Sequence, residues 1–124
     1  MARVVEMDES VSIFSQMNEE DGGPVILINK FNVAPSESDE FVKRWAEEAS
    51  KFKEQPGFIS TQLHKGIGGS RIFVNYAVWK SVAQFKNAVD KVMKSDDRMS
   101  RYPPGTIASP HLFKKVAVEG ICAE

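Results

Sequence analysis

The chain has 124 residues, of which 42% are hydrophobic and 27% charged, with a formal net charge of −1 at pH 7. This length matches one domain, and the composition is typical of a globular protein rather than a disordered or membrane-spanning one. The near-zero charge argues against nucleic acid as a partner. The single cysteine, Cys122, excludes an intrachain disulfide. Because no segment resembles a signal peptide or a membrane span, we expect a cytoplasmic protein with no membrane partner.

The first 23 residues are set apart by NEEDGG, an acidic stretch ending in glycines that is typical of a linker. We therefore divide the chain into an N-terminal extension, residues 1–23, and one domain, residues 24–124. Val11, Ile13 and Phe14 leave two interpretations of the extension open. It is either an arm that adds to a sheet edge or reaches a partner subunit, or a frayed tail.

The first predicted strand of the domain, VILINKFNV at residues 25–33, carries a polar residue on an apolar face. Alternate residues of a strand share a face, so Leu27, Asn29 and Phe31 point to the same side. A buried carboxamide without a partner costs about 1–3 kcal/mol. Asn29 is therefore expected to meet a backbone group, a water molecule or a ligand.

The next segment, APSESDEF, is typical of a helix start, with Ser36 as the expected cap and acidic residues at the positive end of the helix dipole. Pro56 and Gly57 end the predicted helix in a turn. Its apolar residues recur three or four positions apart and form one stripe that packs on the sheet. The stripe consists of Phe41, Val42, Trp45, Ala49 and Phe52.

Two predicted strands follow, residues 58–65 and 71–79, joined as a hairpin by the glycine-rich bend GIGGS. SVAQ then has the form of a capping box, with Ser81 bonding forward and Gln84 back, at the start of a second helix. This helix should fade within KSDDRMS. A proline-rich loop that includes Pro110 precedes the last predicted strand, residues 112–118. The apolar stripe of the second helix consists of Phe85, Ala88, Val89, Val92 and Met93.

This order of elements predicts an α+β, ferredoxin-like fold of the split βαβ (βαββαβ) type, an antiparallel sheet with two helices on one face. The other face of the sheet is also apolar, with Ile28, Val74 and Tyr76 among its residues. Monomers rarely expose such patches, so we expect a homodimer in which two sheets close face to face. The alternative is a monomer whose outer sheet face is solvated.

Three stretches of the domain, VILINKFNVAPSESDEFVKRW, EQPGFISTQLHK and FVNYAVWKSVAQF, closely resemble the antibiotic biosynthesis monooxygenase family of dimeric α+β barrel proteins. The resemblance covers about residues 24–118. It rests on a first-strand asparagine, a Pro-Gly-Phe turn and a Trp-x-Ser sequence. It implies a homodimer with a pocket in each subunit between the sheet and the two helices.

The resemblance implies one of three functions. The first is cofactor-independent oxidation of a small aromatic substrate, of the anthrone, quinol or phenol type, by dioxygen. In such oxygenases the deprotonated substrate passes an electron directly to dioxygen, and Asn29 is the expected group that stabilises the substrate oxyanion. The second function is that of a non-catalytic dimer that binds a small ligand or is associated with stress. The third is haem binding or degradation.

Haem is disfavoured as a cofactor, and the leading interpretation needs none. The haem-degrading members of the family combine the first-strand asparagine with a tryptophan and a histidine roughly ten residues apart on the second helix. The comparable positions of this chain are Ala88 and Arg98, so the iron-ligating histidine is missing. His64 and His111 lie elsewhere in the sequence. The scattered histidines and the single cysteine also lack the spacing of a metal site.

His64 is the candidate catalytic base beside Asn29, because an imidazole exchanges protons near neutral pH. Strict alternation would place it on one strand face with Phe58, and a half-exposed structural role is the alternative. The candidate substrate-binding residues are Trp45, Asn75, Tyr76, Trp79 and Arg98. Core packing is the alternative for both tryptophans, and the dimer interface is the alternative for Tyr76. Asn29 and Asn75 could instead satisfy each other.

Overall fold

The computed structural model describes residues 2–19, 22–93 and 101–123 of the chain. Its strands are β1 (Arg3–Val4), β2 (Val25–Asn32), β3 (Phe58–Lys65), β4 (Ile72–Trp79) and β5 (Ile107–Phe113). Its helices are α1 (Ile13–Gln16), α2 (Ser38–Lys53) and α3 (Val82–Met93). The strands form one sheet in the order β1-β5-β2-β4-β3, in which β1 is parallel to β5 and the other neighbours are antiparallel.

The α+β, ferredoxin-like fold class is confirmed. In this arrangement β2 lies in the middle of the sheet, and α2 and α3 cover one face, here called the inner face. Odd-numbered residues of β2 pair with odd-numbered residues of β4 and even-numbered residues of β5, as in Asn29 with Asn75 and Pro110. Since paired residues point to the same side, these three sets together form the inner face.

Two aromatic clusters fill the space between the inner face and the helices. Trp79 meets Phe52, Phe58 and Phe85 edge-on, with ring centroids 6.2, 5.5 and 5.6 Å apart. These edge-to-face contacts join α2, β3 and α3 to the end of β4. At the other end, Phe41 is completely buried and packs against the rings of Phe31, Phe73 and Tyr102.

The buried side of α2 differs from the predicted apolar stripe at two residues, one that is exposed and one that was not included. Val42 is 41% exposed, whereas Glu48 is half-buried on the side that faces the sheet. The predicted cap is also wrong, because Ser36 lies within a 3₁₀ turn, Pro35–Glu37, and α2 begins without a side-chain cap.

Of the two hydrogen bonds predicted for the capping box of α3, the one from the Ser81 side chain forward to Gln84 is confirmed. The Ser81 hydroxyl accepts a hydrogen bond from the Gln84 backbone N–H at 3.2 Å and donates one to Gln84 Oε1 at 3.1 Å. The side chain of Gln84 therefore bonds to the hydroxyl rather than to the Ser81 backbone. The predicted fading of the helix in KSDDRMS lies outside the described residues.

The last strand was predicted too late in the chain. β5 contains Pro110, although proline cannot donate a ladder hydrogen bond. Even-numbered residues of β5 turn their backbone groups toward β1, as in the hydrogen bond from Val5 N to Ala108 O at 2.8 Å. The pairing of β1 stops there, so the nitrogen of Pro110 faces an edge without a strand. Residues 114–117 are not a strand, and Val118 forms only an isolated bridge with Cys122.

The N-terminal segment joins the sheet of its own chain rather than fraying. β1 adds to the edge of β5, and α1 packs against the inner side of the sheet through Ile13 and Met17. In the turn before α1, hydrogen bonds from the Ser10 hydroxyl and backbone N–H hold the pKa of the Asp8 carboxyl below its usual value. Among the residues described, no helix combines the length and apolar character that a membrane crossing requires.

Candidate functional site

A cavity of about 310 Å³ lies between the inner face of the sheet and the three helices. This volume is at the lower end of the roughly 300–1,000 Å³ typical of ligand sites. Apolar side chains from every layer form most of its wall, among them Leu27, Phe31, Phe52, Ala77, Phe85 and Val89. The polar side chains on the described wall are Asn29, Glu48, Thr61 and Asn75. Such a site suits a small, largely apolar ligand held by a few polar contacts.

Asn29 is the most buried of these polar residues. It is 8% exposed, and its Oδ1 atom has no hydrogen-bond partner among the described residues. β2 brings it to the cavity because every second residue of that strand points inward. A carboxamide offers both a donor and an acceptor, so Asn29 can bind either kind of ligand atom. A buried polar atom left unpaired costs free energy, so this position favours a ligand or a water molecule.

Asn75 lies opposite Asn29 in the β2–β4 pair, but the two side chains do not satisfy each other. Asn75 Oδ1 accepts a hydrogen bond from the Thr61 hydroxyl of β3. This contact orients the Asn75 carboxamide and leaves its amide nitrogen as a second donor on the cavity wall. The predicted alternative in which the two asparagines bond to each other is therefore wrong.

Glu48 is the single ionisable residue on the described cavity wall. α2 carries it one turn from both Trp45 and Phe52, on the same inward side. The Tyr102 hydroxyl donates a hydrogen bond to Glu48 Oε1 at 3.2 Å. The carboxylate is thus oriented by a buried tyrosine and in contact with the apolar cavity, where it can accept a proton from a ligand.

Of the residues predicted to bind substrate, Trp45, Asn75 and Trp79 line the cavity together with Asn29. Trp79 is also a core residue, so it packs in the core and lines the cavity. Tyr76 lies on the opposite, outer face of the sheet, because it pairs with Ile28 and not with an inward residue. Arg98 lies outside the described residues.

His64 is not brought to the cavity. An irregularity between Phe58 and Ser60 interrupts the alternation of β3, so Phe58 points inward while His64 points outward. The imidazole is exposed, and its Nδ1 lies 3.3 Å from the Val74 carbonyl oxygen. The prediction that His64 shares a face with Phe58 is therefore wrong, and His64 does not line this cavity.

The sequence analysis does not identify Glu48, Thr61 and three N-terminal side chains as cavity residues. The apolar stripe predicted for α2 does not include Glu48, although its spacing from Trp45 and Phe52 places it beside them. Thr61 follows the irregularity in β3, and no local signal marks that irregularity. Ile13, Phe14 and Met17 were assigned to an extension, and only their contacts with the sheet identify them as cavity residues.

The described wall of the cavity does not suit an iron porphyrin held by histidine. It contains no histidine, since His64 points outward and His111 does not line it. Of the two positions comparable to the family's tryptophan and histidine, Ala88 is a buried apolar residue and Arg98 lies outside the described residues. Within residues 2–19, 22–93 and 101–123 there is also no group of three or more His, Cys, Asp or Glu side chains that could hold a metal ion.

Sequence comparison links the chain to a known family. The family model described as antibiotic biosynthesis monooxygenase matches residues 24–92, more than half of the chain. No curated protein matches the chain.

Several solved structures share the fold. A protein from Shewanella loihica PV-4, provisionally assigned as a monooxygenase, is 29% identical, with a TM-score of 0.69, over 80% of this chain and 100% of its own. A variant of MhuD with two manganese protoporphyrin IX molecules in each active site is 26% identical, with a TM-score of 0.62, over 77% and 98%. SnoaB, a cofactor-independent oxygenase from Streptomyces nogalater, is 24% identical, with a TM-score of 0.63, over 79% and 98%.

Proposed function

The chain belongs to the antibiotic biosynthesis monooxygenase family, and from this premise we propose that it is a cofactor-independent monooxygenase for a small aromatic substrate. The family and its structural neighbours support a monooxygenase-type function, and the proposal adds the substrate class, a phenol, quinol or anthrone. The observation that carries it is the buried, unpaired carboxamide of Asn29 on the wall of an apolar cavity.

Asn29 supplies the electrostatic part of the proposed mechanism. When a phenol or the enol form of an anthrone loses its proton, negative charge develops on the substrate oxygen. The amide nitrogen of Asn29 donates a hydrogen bond to that oxygen, and Asn75 offers a second donor. A donor fixed in a site with little water stabilises such a charge far more than water does, and the loss of one typically lowers kcat by about 10²–10³-fold.

The apolar wall of the cavity keeps bulk water away from the reaction with dioxygen. The substrate anion passes an electron to dioxygen, and the two radicals then combine to form a carbon–oxygen bond. For an anthrone, one oxygen atom becomes the new carbonyl, and the other leaves as water with the two hydrogens of the ring methylene. Exclusion of bulk water protects the intermediates and strengthens the contacts to the anion.

Glu48 is the proposed proton acceptor, in place of His64. It is the ionisable residue of the described wall, and the hydrogen bond from Tyr102 fixes one of its oxygens. A positioned carboxylate that removes the substrate proton contributes typically about 10²–10⁴-fold to the rate. Glu48 acts on the substrate hydroxyl, or on the methylene of an anthrone, and Asn29 holds the resulting anion.

A homodimer is part of the proposal. The outer face of the sheet carries Ile28, Val74, Tyr76 and Val78, of which Tyr76 is 38% exposed in the single chain. A second copy placed against this face would bury these residues. The cavity lies on the inner side of the sheet, so each subunit would keep its own site.

Oxygen uptake tests the function and the role of Asn29 together. We expect the purified protein to accelerate oxygen consumption by anthrones and hydroquinones above their spontaneous oxidation. Asn29→Leu should lower kcat about 10²-fold, because the donor to the substrate oxygen is lost. The same variant should be more stable by about 1 kcal/mol, because an unpaired buried polar group is replaced by an apolar one of similar size. An oxygen electrode and urea denaturation measure the two effects.

Asn32→Leu is the matched control, since Asn32 lies on the same strand but on the outer face. It should leave oxygen uptake unchanged. An Asn29→Leu protein as active as wild type would remove Asn29 from the mechanism. Binding of the aromatic compounds without any catalysed oxygen uptake would instead support the non-catalytic, ligand-binding alternative.

Haem titration tests the remaining alternative. Because the described cavity wall lacks a histidine, we expect no shift of the Soret band when haem is added and no bleaching after a reductant follows. A shifted Soret band that bleaches with reductant would favour haem degradation through another ligand.

A further inference from the structure

We propose that α1 is the specificity element of the cavity, because its side chains close one end and thereby limit the substrate to small ring systems. The inference rests on the proposed function for the class of ligand, and it adds the residues that set the size limit. α1 precedes residue 24, where the match to the family model begins, so the family resemblance carries no information about it.

Two side chains of α1, Ile13 and Phe14, and that of Met17, the residue after α1, reach the cavity. Ile13 and Met17 lie one helical turn apart, and both are buried in the cluster that contains Trp79 and Phe85. Phe14 also lines the cavity but is 65% exposed. A large ring that contacts both solvent and the cavity lies at its mouth, so Phe14 borders the entrance while the other two form the wall behind it.

Gln16 fastens α1 to the edge of β5. Its Oε1 accepts a hydrogen bond from the Leu112 backbone N–H at 2.9 Å, and its Nε2 donates to the Leu112 carbonyl at 3.0 Å. The side chain thus pairs with Leu112 as a neighbouring strand would. It does so beyond the end of β1, whose pairing with β5 stops at Ala108. The same Nε2 lies 3.1 Å from His111 Nε2.

The position of α1 depends on these contacts rather than on the helix itself. It has four residues, far below the roughly 12–15 that an isolated helix needs. Besides the Gln16 pair, the Glu6 carboxylate accepts a hydrogen bond from Ile13 N at 2.9 Å, and Ser12 Oγ accepts one from Ser15 N at 3.0 Å. Together with the burial of Ile13 and Met17, these bonds hold α1 against the sheet, and loss of the Gln16 pair should loosen it.

The small cavity volume follows from this closure. At about 310 Å³ the cavity is near the lower limit of roughly 300 Å³ for ligand sites. The side chains of α1 occupy the end of the space between sheet and helices into which a longer ring system would extend. Truncation of Phe14 should therefore lengthen the cavity toward solvent, and loss of the Gln16 contacts should speed ligand entry.

Tryptophan fluorescence reports binding directly, because the chain has two tryptophans and both Trp45 and Trp79 line the cavity. Full-length protein is titrated under nitrogen with hydroquinone, anthrone and a five-ring fused quinone. We expect wild type to bind the two smaller compounds. Phe14→Ala should bind the five-ring compound at least about tenfold more tightly than wild type, with little change for hydroquinone. Gln16→Leu, which removes both bonds to Leu112, should raise the association rate of anthrone.

Val11→Ala is the matched control, since Val11 is an exposed apolar residue of the same segment that does not line the cavity. An unchanged size preference in Phe14→Ala would overturn the inference. So would a Val11→Ala protein that accepts the five-ring compound, or a wild-type protein that binds none of the compounds. Phe14 is largely exposed, so its variant should fold even if Gln16→Leu does not.

The binding assay separates this inference from the proposed function, because it excludes dioxygen. A protein that shows the expected size preference but never consumes oxygen would contradict only the proposed function. A protein that oxidises anthrone while Phe14→Ala keeps the wild-type size preference would contradict only the role of α1.

Discussion

Glu48 illustrates how one side chain can differ in role from its immediate neighbours. Glu47 points to solvent, where it forms an ion pair with Arg44 at 3.0 Å, whereas Glu48 faces the cavity and accepts a hydrogen bond from Tyr102. An exposed ion pair contributes little to stability. Because Glu48 borders the cavity, it is the residue that we propose as the proton acceptor.

Replacement of Glu48 tests that role. Glu48→Gln keeps an oxygen atom for the Tyr102 hydroxyl but cannot accept the substrate proton. We expect kcat for anthrone oxidation to fall about 10²-fold while the Kd measured under nitrogen changes little. Glu47→Gln on the same helix should retain wild-type kcat. Equal kcat values for the two variants and wild type would show that another group, or solvent, removes the proton.

The turn between α2 and β3 is the element whose geometry most constrains its sequence. Gly57 has a φ of +91°, and a Cβ atom added there would lie 2.5 Å from Gln84 Cβ at the start of α3. The backbone carbonyl of Gly57 also accepts a hydrogen bond from Lys80 N at 2.8 Å. This turn therefore packs directly against the capping box of α3.

Alanine substitutions at two glycines should separate backbone strain from this close packing. Gly68 in the β3–β4 bend also has a positive φ, +71°, but its added Cβ would meet nothing within 4 Å. Gly68→Ala should lower the free energy of unfolding by about 1–2 kcal/mol through strain alone. Gly57→Ala should cost about 1–3 kcal/mol more because Gln84 must also move. Urea denaturation measures both, and equal losses would contradict the contact with α3.

The outer face of the sheet is the interface of the proposed homodimer. Helices cover the inner face, whereas the outer face presents apolar side chains between the polar groups of Lys30, Gln62 and His64. His64, which does not reach the cavity, lies on this face. In the proposed homodimer it would be an interface residue, and its chemistry would concern assembly rather than the substrate.

A charge placed on the outer face should dissociate the dimer. We expect light scattering after gel filtration to give wild type twice the 13.8 kDa mass of one chain. Tyr76→Glu should shift the protein toward the monomer, because the interface would bury an unpaired carboxylate. Val42→Glu adds the same charge at a similarly exposed residue on α2, 41% against 38% for Tyr76, and should remain dimeric. A monomeric wild-type protein would contradict the face-to-face assembly.

Patterns that repeat within one element were sufficient to predict the ferredoxin-like core. The two-residue alternation of β2, the three- and four-residue spacing in α2 and α3, and the Ser81 cap all act between near neighbours, so the amino acids alone carry them. For the same reason the inward direction of Asn29 followed from its position among Leu27 and Phe31. The hydrogen-bond partner of Asn29 could not be predicted in this way, because an inward carboxamide can bond to backbone, to Asn75 or to a ligand.

The remaining features depend on contacts between distant parts of the chain. An irregularity in β3 turned His64 outward, an edge without a strand admitted Pro110 into β5, and Gln16 met Leu112 some 96 positions away. None of these has a local pattern, since each results from the way strands and helices pair after they form. Asn29 points into the core because its strand alternates, but part of the wall of the cavity that it borders comes from a remote segment, which includes Ile13 and Met17.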